Sequence, residues 1–173
     1  MPPGLTIVVI GLHNGAPLAV VVDVASGKRQ TLDLRELKVP ALGARRFSGT
    51  HVSPDGSLLA ITADDGTVFG WSLPGGGAAR VLAKLGPDEA FVGWSSDPAR
   101  ILLATWTGSR ARIEAVDISS GRRTSVREIA VADSVGMLAT PELFLSNDAR
   151  TYMYGTARML STLYLVSGLS APK

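Results

Sequence analysis

Short apolar runs, each closed by a cluster of serine, proline, aspartate, asparagine or glycine, follow one another along almost the whole chain. The clearest stretch is His51–Gly77, HVSPDGSLLAITADDGTVFGWSLPGGG. A Ser53-Pro54-Asp55-Gly56 turn leads into an apolar strand, an Ala63-Asp64-Asp65-Gly66 turn, a second strand and a glycine-rich turn from Pro74 to Gly77. Runs bounded this way read as β-strands, because β-branched and aromatic residues fit a pleated surface and the turn residues supply the special backbone angles. The runs Leu5–Gly11, Ser57–Ala63 and Ile101–Thr107 are nearly continuously apolar, which predicts strands covered on both faces; Thr151–Gly155 is a shorter run of the same kind. Arg110–Asp117 alternates better, and Lys28–Leu34 and Arg122–Ile129 are the most charged. The gradient from doubly buried to solvated is that of a small sheet stacked between copies of itself. Roughly thirteen to fifteen strands account for most of the chain, so the fold class is all-β.

Two markers recur. The Ser-x-Asp turn returns as Ser95-Ser96-Asp97-Pro98 and Ser146-Asn147-Asp148-Ala149, and a strand-ending turn occurs at Asp23–Gly27, Trp71–Gly75, Asp117–Gly121 and Tyr164–Gly168. The glycines Gly27, Gly75, Gly121 and Gly168 are 48, 46 and 47 residues apart. Such a fixed period is the signature of a repeat architecture. The units run over about 5–34, 47–83, 90–130 and 141–169, separated by connectors containing Pro40 and Gly43, Gly86-Pro87-Asp88, and Gly136 and Pro141. The first unit lacks a Ser-x-Asp turn and so its innermost strand; the fourth ends after its third strand.

Ser53-Pro54-Asp55-Gly56 followed by Leu58-Leu59-Ala60, and a strand ending in Asp117-x-x-Ser120-Gly121, resemble the bacterial WD-repeat-like propellers, including the TolB-like ones. Others of that family follow eukaryotic-like Ser/Thr kinase or winged-helix domains. The resemblance covers nearly the whole chain, is best in the second unit and departs at Pro98 and Ala149, where glycine is expected. It implies a β-propeller of four-stranded antiparallel blades, of which residues 1–173 hold about 3.5: a partial propeller, expected as the C-terminal part of a larger bacterial protein. Propellers host many unrelated activities, so the resemblance speaks to fold more than to function.

Composition narrows the rest. The chain has 173 residues, 46% hydrophobic and 18% charged, enough to bury a core and too apolar for disorder. Without cysteine it has no disulfide, thiol nucleophile or thiolate metal site, and a net charge of +2 is too small for electrostatic steering. Leu5–Val22 imitates a signal peptide, but His13-Asn14-Gly15 interrupts it and no basic residue precedes it. Two strands around an Asn-Gly turn account for it better. No membrane span and a cytoplasmic site are therefore expected, with an extracytoplasmic one if the parent protein is membrane-anchored.

Candidate chemistry is sparse. Asp55, Asp97 and Asp148 suit turn formation first and shared ligation near a central channel second. The pairs Lys28-Arg29 and Arg122-Arg123 hold the same place in two units, so they are expected on one rim, where they protect a sheet edge or meet a polyanion. No aromatics interleave with them, which disfavours nucleic acid. His13 and His51 belong to different units and do not space a metal site; Ser53, His51 and Asp55 form a catalytic triad only on paper, without a nucleophile elbow. Asp64-Asp65-Gly66 reads as a hairpin turn and Gly75-Gly76-Gly77 opens no helix for a phosphate. Trp94 reads as core between units; Trp71, Trp94 and Trp106 together would make a sugar platform. No catalytic residue, metal or cofactor is expected. The function read from these residues is a non-catalytic interaction or sensor module that presents loops to a protein or small ligand. The alternative is the propeller of a hydrolase or peptidase. An isolated chain is expected to self-associate through its incomplete end units.

Overall fold

The computed structural model describes residues 6–14, 16–33, 50–63, 65–73, 79–138, 142–159 and 161. They form thirteen strands in four antiparallel sheets, each a simple meander of consecutive strands. The first sheet holds β1 (Thr6–His13), β2 (Ala16–Asp23) and β3 (Arg29–Asp33). The second holds β4 (Thr50–Val52), β5 (Leu58–Thr62), β6 (Thr67–Ser72) and β7 (Arg80–Lys84). The third holds β8 (Glu89–Trp94), β9 (Arg100–Thr107), β10 (Arg110–Asp117) and β11 (Arg123–Ala130). The fourth pairs β12 (Glu142–Leu145) with β13 (Tyr152–Gly155). Successive hairpins explain the order: Asn14, at φ 51, turns β1 into β2, and Gly66 (φ 82) and Gly108 (φ 59) serve the β5–β6 and β9–β10 turns.

Three apolar cores lie between the four sheets. Ala19 and Val21 of the first sheet pack against Leu59, Ile61 and Trp71 of the second. The other face of the second sheet, with Ala60, Val68 and Leu82, meets Phe91, Trp94, Ile101, Leu103 and Val116 of the third. The far face of the third sheet, with Val92, Leu102, Ala104, Ala111, Ile113 and Ile129, covers Leu143 and Ala149 of the fourth. The period-two alternation of side chains therefore sends Leu102 and Leu103 into different cores, which is why β9 has no polar face. Along the third sheet the burial fades as the sequence predicts: β9 is buried through Ile101–Ala104, β10 alternates, and β11 is exposed apart from Arg127, which is half-buried, and Ile129, which is buried. The leading strands β4, β8 and β12 approach one another, so the sheets converge along one side of the stack.

The expectation of two-sided burial fails for β1. Ile7 and Val9 are 47% and 56% exposed, whereas Val8 between them packs toward the second sheet. The physical reason is position: the first sheet has a described neighbour on one face only. Phe144 and Met153, cross-strand partners on the fourth sheet, are likewise 51% and 66% exposed. Both ends of the stack thus present an apolar face. Of the glycines expected at φ > 0, Gly27 and Gly121 take φ 68 and 69; Gly75, Gly76 and Gly168 lie outside the described residues, as do Pro40, Gly43 and Pro141 of the connectors.

Candidate functional site

A meander puts alternate turns at opposite ends of a sheet. One end carries the Ser-x-Asp and Asp-x-x-Ser-Gly turns; Ser96 N–H there donates to Asn147 O of the fourth sheet at 2.8 Å. The other end carries the β5–β6, β7–β8 and β9–β10 connections, where Leu85 N–H donates to Gly66 O (2.9 Å) within the second sheet and Trp106 N–H to Asp88 O (3.1 Å) within the third.

At the turn end the three aspartates are occupied by their own turns. Asp55 accepts from Ser53 Oγ at 2.6 Å and from Ser57 N at 3.1 Å; Asp148 accepts from Ser146 Oγ at 2.6 Å and Arg150 N at 3.0 Å; Asp97 accepts from Ala99 N at 3.0 Å. The serine hydroxyl beside Asp55 and the one beside Asp148 are the main reason both carboxyls titrate below their ordinary range. The turns differ where glycine is replaced. Gly56 takes φ 72 and its N–H closes on Ser53 O at 2.9 Å. Ala149 is held at φ 54 to make the same bond, at 2.7 Å. Pro98 has no N–H to offer, and Arg100 N–H closes on Asp97 O instead, at 2.9 Å. An alanine in the left-handed region is strained by about 1–2 kcal/mol. Ala149→Gly should therefore raise stability in urea melts by up to about 1 kcal/mol, the lost methyl contact and the looser unfolded chain offsetting the rest. A destabilised variant would show that the buried Ala149 methyl outweighs the strain.

The basic pairs do occupy equivalent turns. Gly27 N–H to Asp23 O and Gly121 N–H to Asp117 O are both 2.8 Å, and the bonds to Lys28 O and Arg122 O are both 3.0 Å. Lys28, Arg29 and Arg122 are exposed. Arg123 is not free on the rim: its guanidinium reaches along the sheet face to Glu89 and, at 3.4 Å, to Glu114. Arg123 is also what chiefly holds the Glu89 carboxyl below its usual range.

The opposite end holds two cavities. One, about 450 Å³, lies between the second and third sheets, lined by Thr62, Asp65, Leu85, Pro87, Glu89 and Phe91 among others. The other, about 460 Å³, is lined by Pro87, Asp88, Ala90, Trp106, Met137 and Leu138 among others. Pro87, Glu89 and Ala90 line both, so the β7–β8 connection is their common wall. Thr62 Oγ1 is shielded from solvent and has no hydrogen-bond partner among the described residues. Asp65 binds Thr67 and the Lys84 ammonium (2.8 Å), which together take its pKa to about 2, the lysine contributing most.

The remaining candidates are dispersed. Trp71, Trp94 and Trp106 lie in three different inter-sheet cores, so the sugar platform is not formed; Trp94, 2% exposed, is core and donates from Nε1 to His51 O at 3.1 Å. His51 packs edge-on against Phe91, centroids 5.1 Å apart, and burial lowers its pKa. With Ser53 bonded to Asp55 and the His51 ring turned to Phe91, the paper triad is not assembled. The side chain of His13, Asp64 and the Gly75-Gly76-Gly77 run lie outside the described residues. Among those described, no cluster of three metal-ligating side chains occurs, and no helix is long and apolar enough to cross a membrane.

Sequence reasoning missed the Glu89–Arg123–Glu114 cluster and Arg127, whose guanidinium lies 4.9 Å over the Tyr152 ring and donates to Ala149 O and Arg150 O. These partners are 9 to 34 residues apart and carry no local signal.

No protein-family model and no curated relative matches the sequence. Among solved structures, TolB from Acinetobacter baumannii superposes with a TM-score of 0.51 at 17% identity, covering 88% of this chain and 40% of TolB. An acylaminoacyl peptidase from Pyrococcus horikoshii gives a TM-score of 0.46 at 14% identity, over 72% of this chain and 23% of the peptidase. With its four-stranded antiparallel sheets stacked side by side, the chain has the fold of part of a TolB-like β-propeller.

Proposed function

We propose that this partial propeller is a non-catalytic interaction module whose working surface is the end that carries the β5–β6, β7–β8 and β9–β10 connections. The observation that carries this is the pair of cavities open at that end, each within the size range of ligand sites. The turn end is the weaker candidate, since Asp55, Asp97 and Asp148 serve their own turns and Arg123 is ion-paired; Lys28, Arg29 and Arg122 are its exposed cations. The resemblance of the turns to propellers that follow kinase or winged-helix domains supports a place in a larger bacterial sensor protein.

The test compares proteins retained from an extract of the source organism by the immobilised chain, by an Asp88→Lys/Leu138→Lys variant and by a Lys28→Glu/Arg122→Glu variant. Loss of a retained protein with the first variant alone is expected. Loss with the second alone would move the surface to the other end, and enzyme-dependent turnover of peptide or ester substrates would replace the reading with the hydrolase one.

The exposed end faces, Ile7 with Val9 and Phe144 with Met153, also support self-association, since they continue the sheet-on-sheet packing seen inside the chain. Light scattering across micromolar concentrations should show a mass that rises with concentration and falls to the monomer with Val9→Lys. A monomer at every concentration would overturn it.

A further inference from the structure

The geometry points to an extended cationic peptide as the occupant of the cavity-bearing rim, laid across the Pro87-Asp88 ridge with an apolar side chain in each cavity and a lysine or arginine over Asp88; this rests on the interaction-module reading. The two cavities share a wall, so one ligand can enter both without bending around a domain edge. Their linings supply apolar surface on either side: Leu85 and Pro87 in the first, Trp106, Met137 and the 59% exposed Leu138 in the second.

The charge is one-sided. Among the described residues, every ionisable one lining the two cavities is acidic, namely Asp65, Asp88 and Glu89. Lys84 neutralises Asp65 and Arg123 neutralises Glu89. Asp88 is exposed and enters no ion pair among the described residues, so it carries the uncompensated charge, and it lines the second cavity between Pro87 and Glu89, which line both. A cation placed there gains a partner, whereas a carboxylate would face the uncompensated Asp88. In an extended peptide, alternate residues face the same side at about 3.4 Å rise per residue, so apolar residues at positions one and five and a basic residue at three address the rim together.

The probe is a capped five-residue peptide with leucine at one and five, lysine at three and serine between, titrated into the isotopically labelled chain. Expected are saturable amide shifts centred on Gly66, Gly86 and Gly108, with a dissociation constant on the order of millimolar, and binding at least about threefold weaker in Asp88→Lys with an unchanged melting temperature. A peptide with glutamate in place of lysine should bind more weakly on the wild type and regain affinity on Asp88→Lys. Equal binding of the two peptides, or shifts confined to the other end of the sheets, overturns the proposal. Should the peptides fail while extract proteins are still lost with Asp88→Lys/Leu138→Lys, the partner's chemistry is wrong and the rim remains the surface. If the peptides bind and no extract protein depends on the rim, the module reading fails instead.

Discussion

Leu102→Ala and Leu59→Ala are each expected to lower the unfolding free energy by about 2–5 kcal/mol, while Val9→Ala lowers it by under about 1 kcal/mol. All three change a large aliphatic residue in a strand that the sequence presents as equally apolar. Leu59 and Leu102 are 0% and 2% exposed, packed in the first and third inter-sheet cores, so truncation removes buried area and leaves a hole that the close-packed neighbours cannot fill. Val9 is 56% exposed on the outward face of the first sheet and already faces water. Denaturant melts at one fixed low concentration separate these cases and keep self-association out of the comparison. A loss near zero at Leu59 and Leu102 would show that the sheets do not stack through these faces, and a loss at Val9 equal to theirs would place a further packed layer on the first sheet.

That contrast shows where the sequence is readable and where it is not. Strand positions and the four-fold repeat come from local chemistry: Asp117–Gly121 and Asp23–Gly27 fold into turns with matching bond lengths because the same few side chains and one φ > 0 residue suffice. The burial of β5 and β9 was equally legible, since a strand without a polar face needs cover on both sides. Whether β1 has its second neighbour depends on what is stacked beyond it, and no residue within β1 reports that. The site is harder still. Asp55, Asp97 and Asp148 are conspicuous in the sequence because they repeat, and they repeat because each turn needs one. The cavity-bearing rim, by contrast, is assembled from connections that do not resemble one another, Ala63–Gly66, Leu85–Asp88, Gly108-Ser109 and the stretch ending at Leu138, and only the packing of the second sheet on the third, with that last stretch beside them, brings them together.

The same turns are expected to make the chain acid-labile. Asp23, Asp55, Asp117 and Asp148 have carboxyls lowered chiefly by serine hydroxyls, Asp133 mainly by the Val135 N–H, Asp65 to about 2 chiefly by Lys84, and Glu89 chiefly by Arg123. A carboxyl whose pKa is lower in the folded than in the unfolded chain contributes stability above its unfolded value, about 3.9 for aspartate, and loses it as pH falls through its folded value. In that window the unfolded state binds more protons, so stability must rise with pH. The melting temperature is therefore expected to be nearly flat from pH 7 to 5 and to fall steeply between about pH 4 and 2, with several protons taken up on unfolding. Charge repulsion acts in the same direction, because protonating the 15 acidic residues leaves 17 lysines and arginines uncompensated. Salt separates the two: about 1 M sodium chloride screens repulsion among exposed charges and restores that part, whereas the hydrogen bonds within the turns are lost with the carboxylate whatever the ionic strength. Asp117→Asn keeps an acceptor for the Ser119 and Ser120 groups but cannot titrate, so its melting temperature should start lower at pH 7 and fall less steeply toward pH 2. A wild-type curve that stays flat to pH 2, or an Asp117→Asn curve parallel to it, would mean that these carboxylates are bonded as strongly in the unfolded chain as in the turns.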